Sequence, residues 1–133
     1  MRTAGVMIGL LVPVGMLAQE AQEAQPTGLA VAEAAVATGV VEREPQGAAE
    51  TFAPSVGQLY CWTNVTGAAE GTKIEHVWYH GDQEAARIAV TVNGPTWRTW
   101  TRKTIPAEWT GAWRVDVVGP DGTVLKSVSF TVQ

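Results

Sequence analysis

Two histidines lie four residues apart, at positions 76 and 80. The imidazole is the side chain most often used for proton transfer or metal binding. Both fall in a stretch typical of a β-strand, in which α-carbons four residues apart are separated by roughly 13 Å. A single metal ion does not bridge that distance, so the spacing argues against a two-histidine metal site. Glu75 and His76 point to opposite faces of such a strand and therefore do not form a local acid–base pair. We expect His76 to be a buried structural residue, with proton transfer or ligand contact as the alternative, and His80 to be a turn residue.

Motifs for catalysis are missing from the sequence. No nucleophile elbow, glycine-rich phosphate loop, His-Glu-x-x-His motif or cysteine-based metal cluster occurs. Cys61 is the only cysteine, so no internal disulfide can form. We expect its thiol to be buried and inert, with an intermolecular disulfide as the alternative. The sequence therefore predicts a protein that is not an enzyme and that holds neither a cofactor nor a metal.

Tryptophan and arginine alternate in a second kind of candidate site. The run Trp97-Arg98-Thr99-Trp100-Thr101 precedes Arg102 and Lys103, and the pair Trp113-Arg114 occurs later. If these two segments pair as strands, guanidinium groups lying over indole faces form a structural ladder, at about 0.5–2 kcal/mol per contact. The alternative is a recognition surface for sugar rings or for a peptide. Six tryptophans among the 83 residues after position 50 exceed what so small a core requires, and this excess favours a binding face.

The predicted binding surface consists of aromatic and arginine side chains: Tyr60, Trp62, Trp97, Arg98, Trp100 and Arg114. His76 and Trp78 are predicted to support it from the core. A carbohydrate- or peptidoglycan-binding module requires at least two of these indoles to be exposed in one plane or cleft. A purely structural or self-associating domain instead buries them or leaves an edge strand unpaired. An envelope protein or a glycan is the expected partner, and nothing in the sequence identifies it further.

Six stretches rich in Val, Ile, Thr, Trp and Tyr predict the strands that position these side chains, over residues 57–66, 72–80, 85–93, 96–104, 112–118 and 123–132. The connections are too short for crossover helices, so the strands should pair mainly antiparallel. Alternation directs three sets of side chains to the core: Ile88, Val90 and Val92; Trp113, Val115 and Val117; Val128, Phe130 and Val132. The sequence predicts an all-β fold, a small antiparallel immunoglobulin-like β sandwich of six to seven strands.

The order of several motifs in this chain resembles one bacterial family. They are Gly57-Gln58-Leu59-Tyr60-Cys61-Trp62-Thr63, Ile74-Glu75-His76-Val77-Trp78-Tyr79, Thr96-Trp97-Arg98-Thr99-Trp100-Thr101, Trp109-Thr110-Gly111-Ala112-Trp113-Arg114-Val115, Asp121-Gly122 and Ser129-Phe130-Thr131-Val132. Together they resemble domain of unknown function family 2914, found in exported or membrane-attached bacterial proteins, over essentially all of residues 52–132. The resemblance implies a compact extracytoplasmic β domain and assigns no activity.

The first 50 residues contain no aromatic side chain. Arg2 precedes an uncharged, mostly apolar run from Ala4 to Ala18, which is too short to span a membrane and predicts a cleaved signal peptide over residues 1–18. Residues 19–50 are rich in Ala, Glu and Gln and predict a flexible, disordered linker, with a marginal helix around residues 29–41 as an alternative. The domain is then expected over residues 51–133, without a transmembrane segment after signal cleavage, in a periplasmic or secreted protein.

Charge separates these two parts of the chain. Residues 1–50 carry two basic and six acidic side chains, whereas residues 51–133 carry seven of each, so the net charge of −4 arises in the leading segment. A neutral domain lacks the basic patch by which proteins bind nucleic acid, and no nucleic-acid partner is expected. The sequence therefore predicts a non-catalytic binding or assembly module of the bacterial cell envelope.

Overall fold

The structure is a computed structural model that describes residues 28–133. The predicted signal peptide and residues 19–27 of the predicted linker lie outside the described residues. Short strands follow one another along the described part of the chain: β1 (Ala30–Ala37), β2 (Gly39–Val41), β3 (Glu44–Gln46), β4 (Thr51–Phe52), a 3-10 helix (Pro54–Val56), β5 (Gln58–Thr66), β6 (Thr72–His80), β7 (Gln83–Val92), β8 (Thr96–Thr104), β9 (Gly111–Val118) and β10 (Val124–Val132). Within residues 28–133, no helix is long and apolar enough to cross a membrane.

Two facing sheets make up the sandwich. One has the strand order β4-β10-β9-β6-β7 and the other the order β1-β5-β8, while β2 and β3 form a separate hairpin. Neighbouring strands are antiparallel except β4, which runs parallel to β10. In the immunoglobulin fold, strands A, B and E share one sheet and G, F, C and C′ the other. The orders β1-β5-β8 and β10-β9-β6-β7 match these sets, so the predicted all-β, immunoglobulin-like sandwich is confirmed.

All six predicted strands are present, with ends within two residues of the observed β5 to β10. The hairpin between β9 and β10 is closed by two turn hydrogen bonds: the Gly119 amide donates to the Thr123 carbonyl, and the Gly122 amide donates to the Gly119 carbonyl. Gly122 has a φ of 87°, a conformation that glycine adopts without a steric penalty. Local turn chemistry thus positions the two strands that carry much of the core.

The core lies between the two sheets and follows the predicted alternation. Trp113, Val115 and Val117 of β9 are all buried, as are Cys61 of β5 and Trp78 of β6. A tryptophan on the strand equivalent to C and a cysteine on the strand equivalent to B are positions that immunoglobulin domains use for a disulfide core. Strand β9, which occupies the place of F, contains no cysteine, so Cys61 stays a free thiol in an apolar environment.

The prediction of a disordered linker is wrong for residues 30–46, and the marginal helix predicted around residues 29–41 is not formed. Strand β1 pairs antiparallel with β5 from Ala30 opposite Thr66 to Ala37 opposite Tyr60, with one register shift between Val31 and Glu33. Val36 of β1 is 1% exposed and belongs to the main core cluster. Pairing with β5 and burial of Val36 outweigh the helix propensity of an alanine-rich segment, because strand formation depends mostly on cross-strand packing. The sandwich therefore includes residues from 30 onward, ahead of the predicted boundary at residue 51.

Candidate functional site

The outward side of the three-stranded sheet collects aromatic and cationic side chains. In register, Tyr60 lies opposite Arg102, Trp62 opposite Trp100, and Asn64 opposite Arg98. Side chains directly opposite one another on paired strands are close enough to interact, so these six residues form one surface. We call it the Trp/Arg face. The structure therefore brings together four of the predicted binding residues: Tyr60, Trp62, Arg98 and Trp100.

A hairpin formed by residues 38–47 covers part of this face. The indole Nε1 of Trp62 donates a hydrogen bond of 2.9 Å to the Arg43 carbonyl in the hairpin turn. The Glu44 carboxylate forms an ion pair with Arg98, and the Arg43 guanidinium donates to the Arg98 carbonyl at 3.2 Å. Trp62 is 3% exposed as a result, so the prediction of an accessible indole at this position is wrong. Strand alternation alone would have left it in solvent.

Trp97 does not belong to the Trp/Arg face. It lies opposite Val65, an inward-facing core residue, and packs at the edge of the sandwich against the smaller core cluster. The Arg43 guanidinium carbon lies 5.7 Å from the centre of its ring, within range of a cation–π contact. All six tryptophans are among the described residues, and Trp109 alone is in the exposed class, at 37%. No two indoles are exposed side by side as a sugar-stacking platform requires.

Arg114 lies on the opposite outer face of the sandwich, so the predicted grouping of Arg114 with Arg98 is wrong. Strand β8 pairs with β5, whereas β9, which carries Arg114, belongs to the five-stranded sheet. The proposed Trp/Arg ladder between these strands therefore does not form. The Arg114 guanidinium lies 4.2 Å from the ring centre of Tyr79 and donates to Asp116 at 3.0 Å. The hydrogen bond that Arg114 donates to Asp116 raises the pKa of Arg114, and both contacts hold this side chain within the domain.

His76 is the centre of a buried hydrogen-bond network that joins the two sheets. The hydroxyl of Thr63 donates to the Thr99 carbonyl at 3.2 Å, so the His76 Nε2, 3.3 Å away, must be the donor to Thr63. The indole of Trp78 donates to the hydroxyl of Thr101, which lies 2.8 Å from the unprotonated His76 Nδ1 and donates to it. Each donor in this chain thus has one acceptor, which fixes a single neutral tautomer of His76.

Burial and this network keep His76 neutral. The side chain is 0% exposed, and desolvation lowers its pKa from 6.5 to about 4. Protonation at Nδ1 would also deprive the Thr101 hydroxyl of its acceptor. Glu75 lies on the other side of the strand, where it forms an ion pair with Arg87 at 2.7 Å. His76 and Trp78 are therefore core residues behind the three-stranded sheet, as predicted for the structural interpretation, and they have no contact with solvent.

His80 ends strand β6 instead of lying in the turn as predicted. Its ring stacks on Trp109 at 5.4 Å between centroids, lies 4.9 Å from Trp113, and has its Nε2 2.7 Å from the Thr110 carbonyl. Because a carbonyl only accepts, this nitrogen carries the proton. Trp113 also donates from Nε1 to the Trp109 carbonyl at 2.9 Å. The cluster covers one end of the core, and strand alternation does not reveal it because Trp109 lies outside every predicted strand.

The Cys61 thiol and the arrangement of metal-binding side chains decide whether the domain offers a reactive group or a metal site. Burial raises the pKa of the Cys61 thiol to about 12, so the reactive thiolate is scarce at neutral pH, in agreement with the predicted inert cysteine. Among residues 28–133, no group of three His, Cys, Asp or Glu side chains is placed to hold a metal ion. Sequence reasoning missed Arg43 and Glu44, which cover the Trp/Arg face, and Arg102, which belongs to it. The first two lay in the predicted linker, and a turn without Gly or Asn gave no hairpin signal.

The later strands of the sandwich match a known protein family. A family described as Protein of unknown function (DUF2914) matches residues 71–132. The match spans β6 to β10 and includes His76, Arg98 and Trp100, but not β1, the hairpin or β5. No curated protein is significantly similar in sequence to this chain. The family match thus covers residues 71–132 of the region, residues 52–132, over which the sequence resembles this family.

Proposed function

We propose that this chain is a non-catalytic binding or assembly module of the bacterial cell envelope, exported to the periplasm or secreted, and that the Trp/Arg face is its recognition surface. Several polar groups on this face have no partner among residues 28–133, and this observation carries the proposal. The Tyr60 hydroxyl, the Trp100 indole nitrogen and the Arg102 guanidinium make no hydrogen bond or ion pair with residues 28–133. Donors that the fold does not use are available to a partner.

The opposite outer face of the sandwich differs in this respect. Arg87 forms ion pairs with Glu75 and Glu84, and Arg114 is held by Asp116 and Tyr79. Charged groups that neutralise one another within the domain contribute little to recognition. Aromatic and arginine side chains with free donors are instead the residue types enriched where proteins bind each other with high energy per residue. The contrast supports the three-stranded sheet as the binding side.

A protein partner fits this face better than a glycan. Trp62 is covered and Trp100 is half-buried, so the face offers no pair of stacked indoles to a sugar ring. Non-catalytic action is supported by the state of the titratable core groups. His76 is neutral and enclosed, and Cys61 is a protonated thiol, so neither has access to a substrate.

Site-specific photo-crosslinking in cells tests this function. A benzoylphenylalanine residue placed at Trp100 should capture a discrete partner. The same residue at Val124, which is 50% exposed on β10 of the other sheet, is the matched control and should not. Arg102→Glu should lower the yield from position 100 several-fold, whereas Lys126→Glu, an exposed cation on β10, should leave it unchanged. Equal crosslinking from positions 100 and 124, or no product from position 100, would refute a recognition role for this face.

A further inference from the structure

The hairpin of residues 38–47 binds the Trp/Arg face through groups that a separate peptide can also present. It supplies a main-chain carbonyl to Trp62 and a carboxylate to Arg98, and beside the face it places a guanidinium over Trp97. All three contacts are polar or cation–π contacts, and none of residues 39–46 is buried. The hairpin thus lies on the face much as a bound ligand would, without contributing to the core.

The turn of this hairpin is conformationally unfavourable. Glu42 and Arg43 have φ angles of 52° and 67°, in the left-handed region that residues other than Gly, Asn and Asp rarely adopt. A two-residue turn with both φ values positive is the type I′ hairpin turn, for which Asn-Gly is the preferred sequence. Backbone strain of this kind occurs where a structure is held by its surroundings and is often linked to function. Here the surroundings are the contacts with Trp62 and Arg98.

The ends of the hairpin provide points about which it can move. Gly39 is the first residue of β2, and Gly47, with a φ of 71°, directly follows β3. A Cβ at Gly47 would collide with the Thr38 hydroxyl, which donates to the Gln46 carbonyl at 3.2 Å. Elements with few buried apolar contacts and exposed hydrogen bonds are the first to open in native proteins. The hairpin meets both conditions.

The hairpin does not satisfy every hydrogen-bonding group of the face beneath it. The side-chain oxygen of Asn64 is buried and has no hydrogen-bond partner among the described residues. Buried acceptors of this kind are rare in native structures because each forfeits the hydrogen bond it would make in water. When the hairpin moves away, Arg98 and Arg102 remain on the sheet with Glu33 of β1, the residue opposite Asn64, as the one acidic neighbour in register. The uncovered face therefore carries net positive charge.

We propose that the hairpin is a displaceable cover, and that the partner of the Trp/Arg face is an acidic, extended protein segment that replaces it. The segment places a carboxylate on Arg98 and a main-chain carbonyl on the Trp62 indole, as Glu44 and Arg43 do now, and its remaining donors and acceptors reach Asn64 and Arg102. This inference rests on the proposed function and specifies its partner. The partner competes with the hairpin for the face. Its apparent affinity is therefore its intrinsic affinity multiplied by the fraction of time that the cover is open.

Two substitutions in the hairpin shift this competition in opposite directions. Glu42→Asn relieves the turn strain, since asparagine tolerates a left-handed φ, and holds the cover closed. Glu44→Gln removes the ion pair with Arg98 and loosens it. Glu50→Gln, an exposed acid outside the hairpin, is the charge-matched control. None of these residues belongs to the Trp/Arg face, so each variant leaves the binding groups themselves intact.

The probe is a synthetic peptide with the sequence of residues 38–47, together with the same peptide carrying Glu44→Gln. Both are titrated into the full chain while the Trp62 indole N–H is followed by NMR. We expect the acidic peptide to bind the Glu44→Gln protein at least tenfold more tightly than the Glu42→Asn protein. The Glu50→Gln protein should match the wild type, and the glutamine peptide should bind at least fivefold more weakly than the acidic one.

The outcomes separate this inference from the proposed function. Equal affinity of the acidic peptide for all proteins overturns the displaceable cover but leaves the face as a binding surface. If neither peptide binds any protein while position 100 still crosslinks a partner in cells, the acidic class is wrong and the proposed function stands. A Glu44→Gln protein that forms dimers by exchanging hairpins identifies a second copy as the occupant and also overturns the inference. If neither peptide binds and position 100 crosslinks no partner, both this inference and the proposed function are refuted.

Discussion

The indole nitrogen of Trp62 and the backbone carbonyl of Arg43 are joined by a hydrogen bond of 2.9 Å, which ties the middle strand of the three-stranded sheet to the turn above it. The indole N–H can only donate, and on an outward strand position it would otherwise meet water. This contact explains how a side chain on the outer face of a sheet becomes as buried as the core. It also makes residues 38–47 part of the domain.

Removing this donor should loosen the hairpin. Trp62→Phe keeps a smaller aromatic ring but leaves the Arg43 carbonyl without its partner, and we expect a loss of about 1 kcal/mol in hairpin stability. Hydrogen exchange of the residue 39–46 amides should speed up by roughly fivefold as a consequence. Trp100→Phe is the matched control, because the Trp100 indole nitrogen has no hydrogen-bond partner among the described residues. Unchanged exchange in Trp62→Phe would show that the contact does not hold the hairpin.

Strand β1 should be essential to the stability of the sandwich. Val36→Ala removes two buried methyl groups from the core and should lower the free energy of unfolding by roughly 2 kcal/mol in a denaturant titration. Val41→Ala, at a position 56% exposed in the hairpin, should change it by less than about 0.5 kcal/mol. Equal effects of the two substitutions would mean that β1 does not pack on the core as described.

Acid should destabilise the domain through His76. Burial lowers the pKa of this group from 6.5 to about 4. Between these two pH values, His76 is therefore mostly protonated in the unfolded chain and mostly neutral in the folded one. The stabilisation is complete above pH 6.5 and declines as the pH falls toward 4, by at most about 3 kcal/mol. Denaturant titrations over this range measure the slope. In His76→Gln that contribution should vanish, and an identical slope in both proteins would argue against a neutral, buried His76.

Cys61 should resist thiol reagents while the domain is folded. Its pKa of about 12 leaves little thiolate at pH 8, and the side chain is inaccessible. A cysteine introduced at the exposed Ser55 provides the reference for an accessible thiol. We expect the Ser55→Cys thiol to react with Ellman's reagent at least a hundredfold faster than Cys61, a difference that denaturant should abolish. Comparable rates in the folded protein would place Cys61 at the surface.

The strands of the sandwich could be predicted because their signals are local. Alternation within β9 and β10 sorted inward from outward side chains, and Gly119 to Gly122 marked the turn between them. Sheet membership was not local: nothing near Trp97 or Arg114 indicates that β8 pairs with β5 while β9 pairs with β6. For this reason the prediction of a ladder was wrong, and Arg114 lies on the opposite face from Arg98.

The covered state of Trp62 could not be predicted either. The segment that covers it has an alanine- and glutamate-rich composition that favours helix or disorder, and its turn is formed by Glu42 and Arg43 instead of Asn-Gly. Cross-strand pairing with β5 decides the structure of β1, and that partner lies more than twenty residues away in the sequence. The sequence thus indicated which residues share a face, but not what covers that face.

The solvent exposure of Trp62 is the most direct test of the covered Trp/Arg face. Fluorine NMR of the protein labelled with 5-fluorotryptophan, assigned by single Trp→Phe substitutions, reports each indole through its shift between H₂O and D₂O. We expect almost no solvent shift for Trp62, the largest shift for Trp109, and the appearance of a shift at Trp62 in the Glu44→Gln variant. A full solvent shift at Trp62 in the unmodified protein would contradict both the hairpin contact and the function built on it.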